Sequence, residues 1–166
     1  MTTSLKPADA LISEKCRALH AIWKRVAGER LAPARSEITL GHVRRLSPWL
    51  WTIDVVDQGA DFRFRLGGDR IVQFLGQRHS GRLLSQLPTN PFFSRMQHTL
   101  SHCIAHKKPV ARGPLASGYP GKEHCEMEVV VLPLSEDGHS INCVMGAMEL
   151  WPVGAGPRAV AGDSIS

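Results

Sequence analysis

The sequence predicts an α+β fold: an antiparallel sheet of five strands with helices gathered on one face, preceded by one more helix. Three observations predict it. Trp51–Val55 and Phe62–Leu66 alternate apolar with polar residues and are joined by Asp57-Gln58-Gly59, the pattern of a hairpin with one core face and one charged face. Three more strand-like runs, about 110–117, 124–132 and 140–150, follow each other with Gly118-Tyr119-Pro120-Gly121 and Glu136-Asp137-Gly138 as turns. Between the pair and the triplet the apolar residues switch to helical spacing. A strand pair, a helical crossover and a strand triplet form an antiparallel sheet with helices packed against it.

Residues 1–8 read as loose. Asp9 is placed to cap a helix that runs to about Ala27 and stops at Gly28. Its apolar residues Ile12, Cys16, Leu19, Trp23 and Val26 are spaced 4, 3, 4, 3, a narrow stripe of the coiled-coil kind. The stripe is therefore a candidate dimer seam anchored by Trp23, with Leu11 and Ile22 on the flanking sheet. The alternative is that the helix folds back on its own sheet. Leu31 to Arg35 is an extended connection, and Thr39 starts a short helix ended by Ser47-Pro48. Trp49 and Trp51 differ in parity, so only one faces the core. After the hairpin, Gly67-Gly68 leads into a compact apolar turn, Ile71, Val72, Phe74 and Leu75, that stops at Gly76, and Gly81-Arg82 is a second break. Pro91 opens a helix to about His106 that buries Phe92, Phe93, Met96, Leu100, Cys103 and Ile104. The organisation is a flanking helix over 1–30, a domain over 31–151 and a disordered Gly/Ala/Pro/Ser-rich tail over 152–166.

At 166 residues this is one domain, long enough to bury a core without disulfides. The net charge of +5 would suit phosphate or nucleic-acid partners, but the arginines are spread along the whole chain and often sit beside acids. They read as solvated surface, which makes nucleic acid an unfavoured partner. Cys16, Cys103, Cys125 and Cys143 have no CxxC spacing and lie in apolar patterns, as reduced core residues of a cytoplasmic protein do. No apolar run approaches a membrane span, and the N-terminus lacks a signal peptide's apolar core. The cytoplasm is the expected compartment, with no membrane partner.

No catalytic set is present: GxSxG, HExxH, P-loop and GxGxxG are all missing. Glu126 and Glu128 alternate with Cys125, Met127 and Val129 and read as surface patterning. His98, His102 and His106 have the spacing of a one-faced metal grip, yet their phase opposes Met96, Leu100 and Cys103, so an exposed stripe without metal is expected. A ligand pocket is expected between the sheet and residues 68–106. Its lining would be Phe64, Leu66, Ile71, Phe74, Leu75, Met96, Leu100, Met127 and Met145, with Arg82 at the mouth as polar anchor.

The segments LHAIWKRVAGERLAPAR, LSPWLWTIDVV, DFRFRLGGDRIVQFLGQRHSG, VVLPLSEDG and MGAMEL resemble one bacterial branch of PAS proteins, in which the domain usually makes up the whole chain. The resemblance covers about residues 18–150, and FRFRLGG with the following FLG and SG is its most specific part. Thr39-Leu40 departs from it, where a proline is expected to open the second helix. The resemblance implies a sensor or adaptor that binds a small ligand and signals through association, as a homodimer or with an unidentified signalling protein. Haem and flavin are cofactor classes of such domains. A haem ligand would come from the helix before the third strand, whose histidines lie on the wrong face, leaving His79 in the pocket wall. The Asn-Cys-Arg motif of flavin photosensors is missing. Both cofactors are disfavoured and the ligand is unknown. The rival readings are a ligand-free docking module with a filled core and a basic nucleotide or nucleic-acid binder.

Overall fold

The computed structural model describes residues 5–157. Among them, six strands make one sheet: β1 (Leu5–Lys6), β2 (Leu50–Val56), β3 (Asp61–Gly67), β4 (Val110–Ala116), β5 (Cys125–Leu134) and β6 (Cys143–Pro152). Their order is β1-β4-β5-β6-β2-β3 and every pairing is antiparallel. The five expected strands are present. The sixth, β1, lies where a loose N-terminus was expected and pairs with β4 through Leu5↔Arg112 and Lys6↔Ala111. β6 runs on to Pro152, the first residue of the expected tail. Most of that tail, from 158 onward, lies outside the described residues.

The helices are α1 (Glu14–Ala27), α2 (Leu40–Val43), α3 (Asp69–Leu75) and α4 (Pro91–His106). α3 and α4 lie on one face of the sheet, as expected, and the N-terminal helix α1 packs on the other. The β5–β6 register sorts the strand residues: Glu128, Val130 and Leu132 stand opposite Glu149, Ala147 and Met145 on the face under α1. Met127, Val129 and Val131 stand opposite Leu150, Met148 and Gly146 on the other face, toward α3 and α4. Alternation along an antiparallel strand makes this division strict.

α1 starts at Ser13 rather than Asp9, which sits in a separate helical turn, Ala8–Ala10. The Ser13 side chain accepts from the Cys16 N–H. The backbone N–H groups of Ile12 and Ser13 donate to the Glu128 carboxylate, at 3.0 and 2.7 Å. Lys6 pairs with the same carboxylate, and the Ser13 hydroxyl donates to Glu149 across the strand pair. Glu128 is thus wholly buried and holds the start of α1, which corrects its reading as surface patterning. Simple alternation fails there because β5 is covered on both sides.

Cys16 and Leu19 are fully buried and Trp23 is 7% exposed, all against the chain's own sheet. Cys16 Sγ approaches the Glu128 and Ala147 carbonyls, and Trp23 Nε1 donates to the Pro133 carbonyl at 2.8 Å. Ile12 is 49% exposed and Val26 is half-buried. The expected dimer seam of Ile12, Cys16, Leu19, Trp23 and Val26 is therefore corrected: its centre is consumed inside one chain. The stripe is narrow because small Ala147 and Val130 let the helix lie close over β5 and β6. Trp23→Ala is expected to lower stability by about 3–5 kcal/mol, the usual range for a large core truncation, while light scattering gives the same mass as the parent. A change of mass with unchanged stability would restore the seam.

On the opposite face, a bulge between Thr52 and Ile53 pairs Ile53 with Phe64 but Thr52 with Leu66. It keeps Trp51, Ile53, Phe62 and Phe64 buried and leaves Leu66 57% exposed, at the rim of that face. Trp49 lies outside the core under Lys15 and Arg70, with Lys15 Nζ 4.7 Å from its ring centroid. All four cysteines are free thiols. Burial pushes Cys16 and Cys103 up to about 12, and Cys143 to about 11, so these three are inert core residues at neutral pH.

Candidate ligand cavity

The turn after β3 builds the first wall. Gly68 presses against the Ser47 and Pro48 carbonyl oxygens, with no room for a β-carbon, and its N–H donates to the Leu50 carbonyl at 2.8 Å. This close approach folds α3 over the sheet, burying Ile71, Phe74 and Leu75. Gly76, at φ 81°, ends the helix in the left-handed region, where glycine is favoured. The following loop then pairs with β3: the Gly81 N–H donates to the Phe64 carbonyl at 2.7 Å and the Phe64 N–H to the Arg82 carbonyl at 2.9 Å. That pairing fixes the side-chain directions. His79 turns in and Arg82 turns out to solvent. Arg82 is therefore not the polar anchor of the pocket.

The second wall is α4. Asn90 caps it by accepting from the Phe93 N–H, and Pro91 occupies its first turn. Phe92, Phe93 and Leu100 are buried beneath it. Phe74, Phe92, Phe93 and Tyr119 form a cluster of tilted and edge-on rings, and the Tyr119 hydroxyl donates to the Leu75 carbonyl.

Between these walls and the sheet lies a cavity of about 60 Å³. An empty apolar cavity of about 150 Å³ takes a benzene ring. This one holds fewer heavy atoms, and a haem or flavin ring system does not fit it. Phe64, Leu66, Ile71, Leu75, Met96, Leu100 and Met127 border it as expected. Two expected liners do not. Phe74 faces the ring cluster of Phe92 and Tyr119. Met145 lies on the α1 face, opposite Leu132, and Met148 takes its place in the lining. Only the β5–β6 register distinguishes those two methionines.

The polar part of the lining differs most from expectation. It contains Arg78, Arg95 and Arg112 and no acidic residue. Arg112 stands opposite Val129 on the cavity face of β4 and is 5% exposed. Its Nε donates to Thr99 Oγ1 at 3.0 Å, and its Nη2 lies 2.8 Å from His98 Nδ1. Arg95 donates to the Ala116 and Ser117 carbonyls at 3.0 and 2.7 Å. Burial holds both guanidinium groups below their ordinary value, and for Arg112 the charge of Arg95 adds to this. The sequence carried a signal for Arg112: it follows Val110 by two residues, so it shares the apolar side of its strand.

His79 is 5% exposed, and neither ring nitrogen has a hydrogen-bond partner. Its ring lies 5.9 Å from those of Phe64 and Phe93. Burial lowers its proton affinity, and the nearby Arg82 charge lowers it further, so the imidazole is neutral at pH 7. Of the expected stripe, His98 and His106 are exposed and His102 is half-buried. His98 serves Arg112, and His102 is half-buried with Nδ1 unpartnered and stacks on His106 at 4.1 Å between centroids. Among the described residues no cluster of three His, Cys, Asp or Glu is placed to hold a metal.

A family model described as a PAS domain matches residues 12–149. No curated protein matches the chain. Among solved structures it is similar to the PAS domain of the histidine kinase ThkA, at 17% identity and TM-score 0.43 over 61% of this chain and 98% of that one. It is also similar to a light-oxygen-voltage domain studied with a flavin analogue, at 8% identity and TM-score 0.46 over 76% of this chain and 93% of that one.

Proposed function

This chain belongs to the PAS domain family, whose members are signal-sensing modules, and on that premise we propose that it is a small-molecule sensor. A ligand enters the cavity between the sheet and α3–α4, and the filled state alters how the domain meets a signalling partner. The role is sensory rather than catalytic. Three buried, inert thiols suit a reducing compartment, and we assign the protein to the cytoplasm. No helix among the described residues is long and apolar enough to cross a membrane.

One observation carries this reading: His79, buried in an apolar cavity with both ring nitrogens unbonded. Leaving a buried donor or acceptor unpaired costs about 1–3 kcal/mol, so native cores rarely keep one without a use for it. A domain that only docks would do better with a phenylalanine at that position. A sensor needs a group that the ligand completes.

Native mass spectrometry of the purified protein is the test. The expected result is a small molecule bound one to one, lost on denaturation and lost in His79→Phe. An empty protein in every preparation, with His79→Phe more stable and still able to engage its partner, would favour a docking module with a filled core.

A further inference from the structure

The polar groups of the cavity wall narrow the ligand by elimination. The buried polar side chains of the lining are His79, Thr99, Arg112 and Ser117. All but His79 are engaged within the chain. Arg112 donates from Nε to Thr99 Oγ1, and its Nη2 meets His98 Nδ1. The Thr99 hydroxyl donates to the Arg95 carbonyl, and the Ser117 hydroxyl to the Lys122 carbonyl. The less buried arginines are engaged too. Arg95 donates to the Pro91, Ala116 and Ser117 carbonyls, and Arg78 lies 3.8 Å from Asp69. An anion entering this space would lose its water and find these guanidinium groups already turned to other partners; a cation would meet like charge. The wall therefore selects an uncharged molecule. His79 is the group left for it. The ring sits between Phe64 and Phe93, and neither nitrogen is hydrogen-bonded. A neutral imidazole has one N–H that donates and one bare nitrogen that accepts, and a hydroxyl can answer either. Size sets the remaining limit. A cavity of about 60 Å³, against the roughly 150 Å³ that takes benzene, holds about two to four heavy atoms.

Resting on the sensor reading, we propose that the cavity takes a short-chain alcohol of about two or three carbons, its hydroxyl on His79 and its alkyl chain among Ile71, Leu75, Leu100, Met127 and Met148. The aliphatic wall removes the chain from water, and the flexible methionines adjust to its length. The hydroxyl gives the one unpartnered polar side chain of the buried lining its partner. Carboxylates, amines and ring compounds fall outside this class.

Titration of the full-length protein, followed by NMR of the histidine ring nitrogens, tests this with five probes: ethanol, 1-propanol, ethanethiol, acetate and ethylammonium. Both alcohols are expected to move the His79 ring signals in a saturable way, and to bind at least tenfold tighter than acetate or ethylammonium. Ethanethiol matches ethanol in heavy atoms but hydrogen-bonds weakly, so it isolates the hydroxyl. The ratio of ethanol to ethanethiol affinity is expected to fall at least fivefold in His79→Phe. The ring signals of the parent protein need no variant to fold. The assignment is overturned if acetate or ethylammonium binds as well as the alcohols, or if the affinity ratio survives in His79→Phe. It is overturned equally if the alcohols leave the His79 nitrogens unmoved, as they would were water alone to occupy the space. A charged molecule carried through purification would overturn this ligand class while leaving the sensor reading intact.

Discussion

Glu128→Ala is expected to destabilise the protein by about 3–5 kcal/mol, the range found when one member of a buried charge pair is removed. The carboxylate accepts from three donors at once: the Lys6 ammonium and the N–H groups of Ile12 and Ser13. Its loss strands all three in an interior that supplies no other acceptor to Ile12 and Ser13 in the present packing. It also leaves Glu149 as the remaining carboxylate at the start of α1, held by the Ser13 hydroxyl. Because β1 and α1 are tied through the same oxygens, both should loosen together. Urea denaturation reads the stability, and amide hydrogen exchange at Ile12 and Ser13 reads the local release. Glu128→Gln, which keeps an acceptor but not the charge, should fall between the two. A Glu128→Ala protein within 1 kcal/mol of the parent would show that the buried network does not anchor the helix.

Gly146→Ala is expected to cost about 3 kcal/mol, at the upper end of ordinary overpacking, and to abolish ligand occupancy. Gly146 pairs with Trp51 across β2 and β6, and its bare α-carbon lets the indole lie flat on the strand. A β-carbon there would occupy the space of the indole ring and press on the Val130 carbonyl of β5. The ring can only escape into the cavity it lines, and the carbonyl belongs to a central strand that cannot yield cheaply. Thermal melting and tryptophan fluorescence should report both changes. A variant that melts with the parent and keeps its ligand would mean that the strands separate easily at this point.

The succession of strands and helices along the chain and much of the cavity wall were legible because hairpin alternation and helical spacing are local signals. Phe64, Ile71, Leu75, Leu100 and Met127 could be assigned from neighbours a few residues away. The errors share a different cause. Choosing Met148 over Met145 needs the β5–β6 register, and turning Arg82 out needs a loop to pair with β3. Glu128 seemed exposed because its partners, Ile12 and Ser13, lie more than a hundred positions away. The stripe on α1 was visible, but its spacing cannot say whether the covering surface is a second chain or the same one. In the fold it is the same one, because β5 and β6 offer a smooth row of Val130 and Ala147 there.

The two faces of β5 are separated by no more than the strand itself. Val129 and Val131 look into the cavity, while Glu128 and Val130, their immediate neighbours, lie beneath α1. A twist imposed on the strand from one side is therefore felt on the other without a relay of intervening residues. Thermodynamic reciprocity then applies: whatever factor ligand occupancy puts on the docking of α1, the docking of α1 puts on ligand affinity. A partner that grips the helix would consequently reset the concentration at which the cavity fills, making the sensitivity threshold a property of the complex rather than of the domain alone.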